Sequence, residues 1–475
     1  MTYIQHRIPV FYLLFLTILI GFGVMTSCKP KEKNNDVQLK FSTSIVTFDT
    51  VFTSIGSVTK RFTVKNTSKD EITTTIFLAG KNSYFSMNVD GEAGTYFKNV
   101  VIPKKDSIFV FVTVKINPKN ENNPYLVTDS IVFITGKHVQ DVKLLAYGQD
   151  ARYIVADPKT GFKIIAGEHE TVTWNKERPY VVYGWAAIDS LGTLEIEPGT
   201  KIYFHKNSGL WASPFSELNV NGTKDEPVLF RGDRLEAWYD NDFAQWNGIW
   251  INEGAEVTIN NAIITNARTG VQLNPFVTEG GITVTVNSLV KIDNTIIKNT
   301  EKSGVWAMFL NLDMTNCVIA NNGSCSLQLE GGKYKMKHLT VVNHFMQAER
   351  KVPACYVSNV VSAFNDEPWD VNAAFINCII TGRNEDEVIV NKKGNKSLEA
   401  SFQNCLIRAK NDLKDYFKDC LRNEDPKFEA QDKLNFKLMP GSKAIGNGKT
   451  LSDVTLDILG IPRKNPPDIG AYEFQ

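Results

Sequence analysis

From residue 257 onward a short pattern keeps returning, and its spacing limits the fold more than any other feature of the chain. Apolar residues in alternation lead to an Asn, then to a small or apolar residue, then to an aliphatic pair. The pattern reads Ile259-Asn260-Asn261-Ala262-Ile263-Ile264, then Ile292-Asp293-Asn294-Thr295-Ile296-Ile297, then Met314-Thr315-Asn316-Cys317-Val318-Ile319. Met336-Lys337-His338-Leu339-Thr340-Val341 is a degenerate copy. Val357-Ser358-Asn359-Val360-Val361, Ile376-Asn377-Cys378-Ile379-Ile380 and Phe402-Gln403-Asn404-Cys405-Leu406-Ile407 complete the series. Successive Asn (or His338) positions lie 33, 22, 22, 21, 18 and 27 residues apart. A repeat of this length is a unit that buries its apolar face only by stacking on its neighbours.

A central period near 22 matches one coil of a right-handed parallel β-helix, with loops of different length on one edge giving the variation. Each coil needs a tight corner between short strands, and Asn tolerates the left-handed backbone region better than other non-Gly residues. Asn side chains on coils ~4.8 Å apart are close enough to hydrogen-bond along the axis. Asn261, Asn294, Asn316, Asn359, Asn377 and Asn404 are therefore predicted corners, and they account for part of an unusual content of 42 Asn against 32 Gly. The residue after each Asn should point inward, and Ala262, Thr295, Cys317, Leu339, Val360, Cys378 and Cys405 are all compact or apolar. Cys317, Cys378 and Cys405 then read as small buried hydrophobes, with a disulfide between neighbouring coils or thiol chemistry as alternatives.

Lys plus Arg equals Asp plus Glu at 52 each, so the chain lacks the basic excess that a nucleic-acid-gripping protein needs. Residues 41–150 differ from the repeat region. Arg61 to Lys65, Ile108 to Ile116, Ser130 to Ile134 and Val142 to Tyr147 carry strand signals, with turn chemistry at Asn66-Thr67-Ser68 and at 103–106. About seven short strands predict a β-sandwich of immunoglobulin type. Residues 62–67 and 109–114 loosely resemble the sandwich domains of cilia-associated and major-sperm-type proteins, which implies a spacer or docking module.

The N-terminus reads as an address. Arg7 precedes an apolar run from Ile8 to Val24, then Met25-Thr26-Ser27-Cys28. A Cys at the cut, with Ser27 before it, resembles the lipobox of bacterial lipoproteins. The resemblance implies that residues 1–27 are removed and that Cys28 carries the lipid. Residues 28–40 then form a charged, flexible tether. With no Asp directly after Cys28, the outer membrane is the expected site of anchoring, its periplasmic or outer side left open. A plain transmembrane anchor is the alternative.

Residues 192–254 resemble the start of bacterial right-handed β-helix repeat proteins of the pectate-lyase-like kind, through Gly192-Thr193-Leu194-Glu195-Ile196-Glu197-Pro198-Gly199-Thr200, Leu218 to Thr223 and Trp246-Asn247-Gly248-Ile249-Trp250-Ile251. Pro440 to Gly448, Asp457 to Arg463 and Asp468-Ile469-Gly470-Ala471-Tyr472-Glu473 resemble the closing segment of such proteins, with Gly446-Asn447 a departure. The resemblance implies an all-β chain: the sandwich, a β-helix over 151–440, and a segment over 441–475 that caps the last coil. Relatives on this fold include polysaccharide lyases, which use Ca²⁺, and glycoside hydrolases, so fold alone does not settle activity.

Asp233, Glu236, Asp240 and Asp242 are the acidic candidates for such chemistry, in a loop that interrupts the repeat. No metal-binding or nucleophile motif accompanies them, His205 and His344 stand alone, and the reading leans against catalysis, with no cofactor and no metal. All eight Trp lie between Trp174 and Trp369, and Trp211, Trp238, Trp246 and Trp250 crowd into 40 residues. They are the candidates for stacking on sugar rings. The expected function is an envelope lipoprotein whose β-helix binds a polysaccharide or an envelope protein. Lyase or hydrolase activity, and a structural role in an outer-membrane assembly, are the alternatives.

Overall fold

In the computed structural model the described residues are 36–53, 56–118, 125–275, 277–278, 281–282, 289–345, 347, 349–361, 368–411 and 413–475. Cys28 and the leader lie outside them. The chain divides into two compact units, the second taking over at Gln149.

The first unit is a sandwich of two antiparallel sheets. One has strands Lys40–Phe41, Lys60–Lys65, Ser107–Val114, Phe85–Val89 and Glu92–Gly94, the order being first, second, then third beside Phe85–Val89. The other has Ile45–Phe52, His138–Gln149, Tyr125–Thr135, Ile72–Leu78 and Tyr96–Ile102. That makes ten strands among the described residues, where the turn signals alone suggested about seven; the short and irregular ones carry no alternation to read. Alternation holds where it is strong: Ile72, Thr74, Ile76 and Leu78 are buried in turn while their neighbours are not. The turn at 66–68 closes as an Asx turn, Ser68 N donating to Asn66 Oδ1 at 2.8 Å.

The second unit is a right-handed parallel β-helix. Each coil visits three sheets in order. Sheet one starts at Arg152–Val155, sheet two at Phe162–Ala166 and sheet three at Thr171–Trp174. Among the described residues they hold eleven, nine and ten strands, each pairing in parallel with its equivalent one coil on. Between them runs one apolar interior, with stacked rings such as Phe375 and Phe402, 4.4 Å apart and 10° from parallel.

The turn from sheet three to sheet one is the Asn corner. Asn261, Asn294, Asn316, Asn377 and Asn404 have φ between 49° and 56°, and His338 has 53°. Amides link along the axis: Asn294 Nδ2 donates to Asn260 Oδ1 at 3.0 Å and Asn316 Nδ2 to Asn294 Oδ1 at 3.2 Å. Asn359 corrects the prediction. It has no positive φ, and it follows the sheet-two strand Cys355–Ser358. There its Oδ1 accepts Lys393 N at 2.8 Å and its Nδ2 donates to Lys393 O at 2.8 Å. The stretch from His338 to Asn377 is therefore one enlarged coil, not two. The added chain is pinned by a buried ion pair, Arg350 to Glu387 at 2.5 Å, whose second oxygen accepts Ala354 N.

A second Asn file, at the turn from sheet one to sheet two, was not read from the sequence. Asn266, Asn299 and Asn321 also have positive φ, and Asn321 Nδ2 donates to Asn299 Oδ1 at 2.6 Å.

The C-terminal segment corrects a further expectation. It lies along the flank of the coils rather than capping the last one. Ala444, Ile458, Ile469 and Ala471 pack on Val318, Ala320, Val342, Ile379 and Leu406, the outer side chains of sheet one. Gly470 N donates to Asn377 O at 2.8 Å, and Ala471 N to Thr340 Oγ1 at 2.9 Å. Gly470 sits at φ 102°, and a Cβ there would meet Ile379 and Thr340 under 3 Å, so only glycine fits. The segment is held by buried charge. Arg463 meets Glu473 at 3.3 Å and donates to Asn316 Oδ1 at 2.7 Å. Asp457 and Asp468 accept backbone N–H groups from Ile461, Glu473, Gly446 and Phe474. Apolar strands facing outward need a cover, and this segment supplies it.

Candidate functional site

Sheet two presents the other long face. Its inward columns are aliphatic: Leu210, Ile249, Val271, Val305 and Leu327 are fully buried in register. Because side chains alternate along a strand, the residue after each of these must face outward. That outward column reads Trp211, Trp250, Gln272, Trp306, Gln328, Tyr356 and Ile389, each paired with the next. Every described rung from Trp211 to Tyr356 thus carries a ring or a primary amide.

A second outward column locks the first. Trp211 Nε1 donates to Asn252 Oδ1 at 2.7 Å and Trp306 Nε1 to Glu330 Oε2 at 3.0 Å. Gln272 Nε2 donates to Asn274 Oδ1 at 2.8 Å, Gln328 Nε2 to Glu330 Oε1 at 3.0 Å, and Asn391 Nδ2 to Tyr356 Oη at 2.9 Å. These bonds hold the edge groups inside the row, and Trp306 also packs on Met308, Phe309 and Val361, so each ring is open only in part. Trp185 lies against Trp250 at 4.5 Å and 47°, and Phe162 meets Trp211 edge-on at 6.2 Å. Trp250 is 36% exposed, Trp211, Trp306 and Tyr356 half-buried.

The four predicted tryptophans therefore separate. Trp211 and Trp250 are neighbours on this face. Trp246 is 1% exposed, stacked on Phe204 at 4.1 Å and 8°, with Nε1 donating to Thr265 O at 2.8 Å. It is a core residue: the chain re-enters the coil at 246 after the loop, and its ring covers the interior beside Phe204. Trp238 is 77% exposed on a short 3-10 turn, edge-on to Tyr239, in the loop and not on the row. Trp306 and Tyr356 were missed. The signal was present as a small residue, an aliphatic one or Cys, then a ring or Gln: Gly209-Leu210-Trp211, Gly248-Ile249-Trp250, Gly270-Val271-Gln272, Gly304-Val305-Trp306, Ser326-Leu327-Gln328, Ala354-Cys355-Tyr356. The small residue is required because the backbone crowds there: a Cβ on Gly248, at φ 119°, would stand 1.8 Å from Thr269 O.

The acidic loop is ordered by the second Asn file. Asn266 Nδ2 donates to the carbonyls of Tyr239, Asp240 and Asp242, and Asn299 Nδ2 to Asp240 O. Its carboxylates point to separate partners. Asp233 meets His205 Nδ1 at 2.7 Å, Glu236 is paired with Arg234, Asp240 with Arg231 at 3.1 Å, and Asp242 Oδ1 accepts Phe243 N. Burial raises the Asp233 carboxyl above its ordinary range and the His205 contact pulls it back. His205 also stacks on Tyr183 at 4.6 Å. His344 is pushed down to about 4 by burial, with Arg350 nearby adding to the effect. Among the described residues no group of three or more His, Cys, Asp or Glu is placed to hold a metal ion.

A family model described as a right handed beta helix region matches residues 200–359, which covers most of the row. No curated protein matches the sequence. Among solved structures, the chain is similar to a family 123 glycoside hydrolase from Clostridium perfringens, studied for glycolipid glycan hydrolysis, at 7% identity over 23% of this chain and 25% of that one, TM-score 0.18. It is also similar to a protein of unknown function from Porphyromonas gingivalis W83, at 12% identity over 27% of this chain and 58% of that one, TM-score 0.18. Overlaps this small bear on neither fold nor function.

Proposed function

We propose that this chain is a lipid-anchored outer-membrane protein whose β-helix holds an extended glycan on the sheet-two row without cleaving it. The observation that carries this reading is the in-register column Trp211, Trp250, Gln272, Trp306, Gln328 and Tyr356. Rings at Trp250, Trp306 and Tyr356 recur on every second strand, roughly 9.6 Å apart at ~4.8 Å per strand. In an extended β-linked sugar chain alternate residues turn the same face, so a two-residue repeat of about this length would meet one ring per repeat. The outward column itself, Trp211 to Tyr356, carries no charged side chain, which suits a neutral polymer held by stacking and hydrogen bonds. Cys28 supplies the anchor, the residues that follow it a tether shorter than the expected 28–40, since Leu39 and Lys40 already belong to the sandwich, and the sandwich the spacer. The four carboxylates of the 233–242 loop are each engaged by local partners, which supports binding without hydrolysis. The reading needs neither Ca²⁺ nor another cofactor.

The test is affinity electrophoresis and calorimetry with the mature chain against extended β-linked and coiled α-linked glucans. Binding should favour the extended polymer, and affinity should rise with oligosaccharide length until the ligand matches the row, roughly 24 Å from Trp211 to Tyr356 at ~4.8 Å per strand. Equal binding of both polymers, or of neither, would contradict it.

A further inference from the structure

The interior file behind the Asn corner ends in three thiols. Gln403 pairs with Lys418 and Leu406 with Leu421, so Cys405 and Cys420 stand opposite one another on adjacent coils with no register shift. By the same logic Ile376 pairs with Gln403 and Ile379 with Leu406, which sets Cys378 opposite Cys405. The sulfurs follow the backbone in parallel: Cys405 Sγ lies 3.3 Å from Gln403 O, and Cys420 Sγ lies 3.4 Å from Lys418 O. Leu421 N donates to Cys405 O at 2.8 Å, which keeps the two turns in contact. Paired strands ~4.8 Å apart fall inside the Cα separation that a disulfide spans.

The three thiols are not equivalent. Cys378 and Cys405 are fully buried, while Cys420 is half-buried in the last coil, where the strands Phe417–Lys418 and Leu421–Arg422 are two residues each. Cys420 is the one an outside reagent reaches first.

We propose that Cys405 and Cys420 are a disulfide-forming pair that staples the terminal coil of the β-helix when the chain meets a disulfide oxidant. The oxidant is a small-molecule or protein disulfide. The Cys420 thiolate attacks it, forming a mixed disulfide and releasing one thiolate. Cys405 then loses its proton, attacks the Cys420 sulfur and expels the second thiolate. Two electrons and the two thiol protons leave the pair, and one S–S bond forms in the protein. A hydrogen bond from Cys405 lowers the Cys420 thiol below its ordinary range, which favours the first step. Cys317 provides an internal control, since Leu339 separates it from Cys378 in the same file.

The experiment is oxidation of the reduced mature chain with oxidised glutathione, followed by alkylation under denaturing conditions and peptide mass mapping. The expected product is a 405–420 cross-link, lighter by two hydrogens, with Cys317 alkylated in full. Cys420→Ala should leave Cys405 alkylatable, and Cys317→Ala should leave the cross-link intact. Hydrogen exchange at the Leu421 amide should slow in the oxidised chain. A Cys378–Cys405 cross-link, a glutathione adduct that stops at Cys420, or unchanged exchange at Leu421 would each overturn the proposal.

Discussion

Two flanks of the same coils treat their outward side chains in opposite ways. Along sheet one from Val318 on, the outward residues Val318, Ala320, Val342, Ile379 and Leu406 are aliphatic, and the chain covers them itself with residues 444–474, fastened by Arg463, Glu473, Asp457 and Asp468. Along sheet two, the outward positions are rings and amides; Trp211, Trp306 and Tyr356 have their polar edges bonded within the row, and part of each ring stays open. A polar group that bonds the chain's own backbone holds the fold. A ring fixed by its edge is preorganised and leaves its face for something else.

The largest expected effects come from breaking the covered flank and the interior. Arg463→Ala would leave buried Glu473 without its ion-pair partner and should cost ~3–5 kcal/mol, with residues 444–474 becoming open to limited proteolysis. Trp246→Ala should cost a similar ~3–5 kcal/mol in chemical unfolding, whereas Trp250→Ala, 36% exposed and packed only on one side by Trp185, should cost clearly less. A Trp250→Ala variant as unstable as Trp246→Ala would erase the distinction between the flanks.

His338 gives the comparison a pH dependence. Burial, with Arg463 adding to it, pushes its pKa down to about 3, and it sits neutral between Gly470 O and Asn377. The unfolded chain takes up the proton near 6.5. Stability tied to neutral His338 is thus complete above that pH and is lost as the pH falls towards 3. The loss should reach roughly 2 kcal/mol at pH 5, at ~1.4 kcal/mol per unit. His338→Asn, the residue at the equivalent corners, should flatten the pH profile of unfolding over this window; an unchanged profile would remove His338 as its cause.

The smallest effects concern single corners. Asn294, at φ 50°, should lose ~1–2 kcal/mol on change to Ala and less on change to Gly, which keeps the backbone freedom. At Asn359, which lacks a positive φ, Gly should rescue nothing relative to Ala, as thermal unfolding would show.

The corners were legible because a left-handed residue at a fixed place in each coil selects Asn by local sterics. Asn359 misled because Ser358-Asn359-Val360-Val361 spells the same letters at a different corner, and only the pairing of Cys355–Ser358 with sheet two reveals it. The row was half legible. Clustering along the chain grouped Trp238 and Trp246 with Trp211 and Trp250, but rung register, not proximity in sequence, decides which rings share a face. The C-terminal segment read as an ending and therefore as a cap. Its target, the aliphatic outer face of sheet one, is visible only once the coils are stacked.

The most direct measurement is calorimetric binding of an extended β-linked oligosaccharide to Trp250→Ala, Trp306→Ala and Trp238→Ala. The first two should lose tenfold or more in affinity while remaining folded and unfolding cooperatively, and Trp238→Ala should bind like the parent. Full affinity in both row variants, or an equal loss in Trp238→Ala, would contradict it.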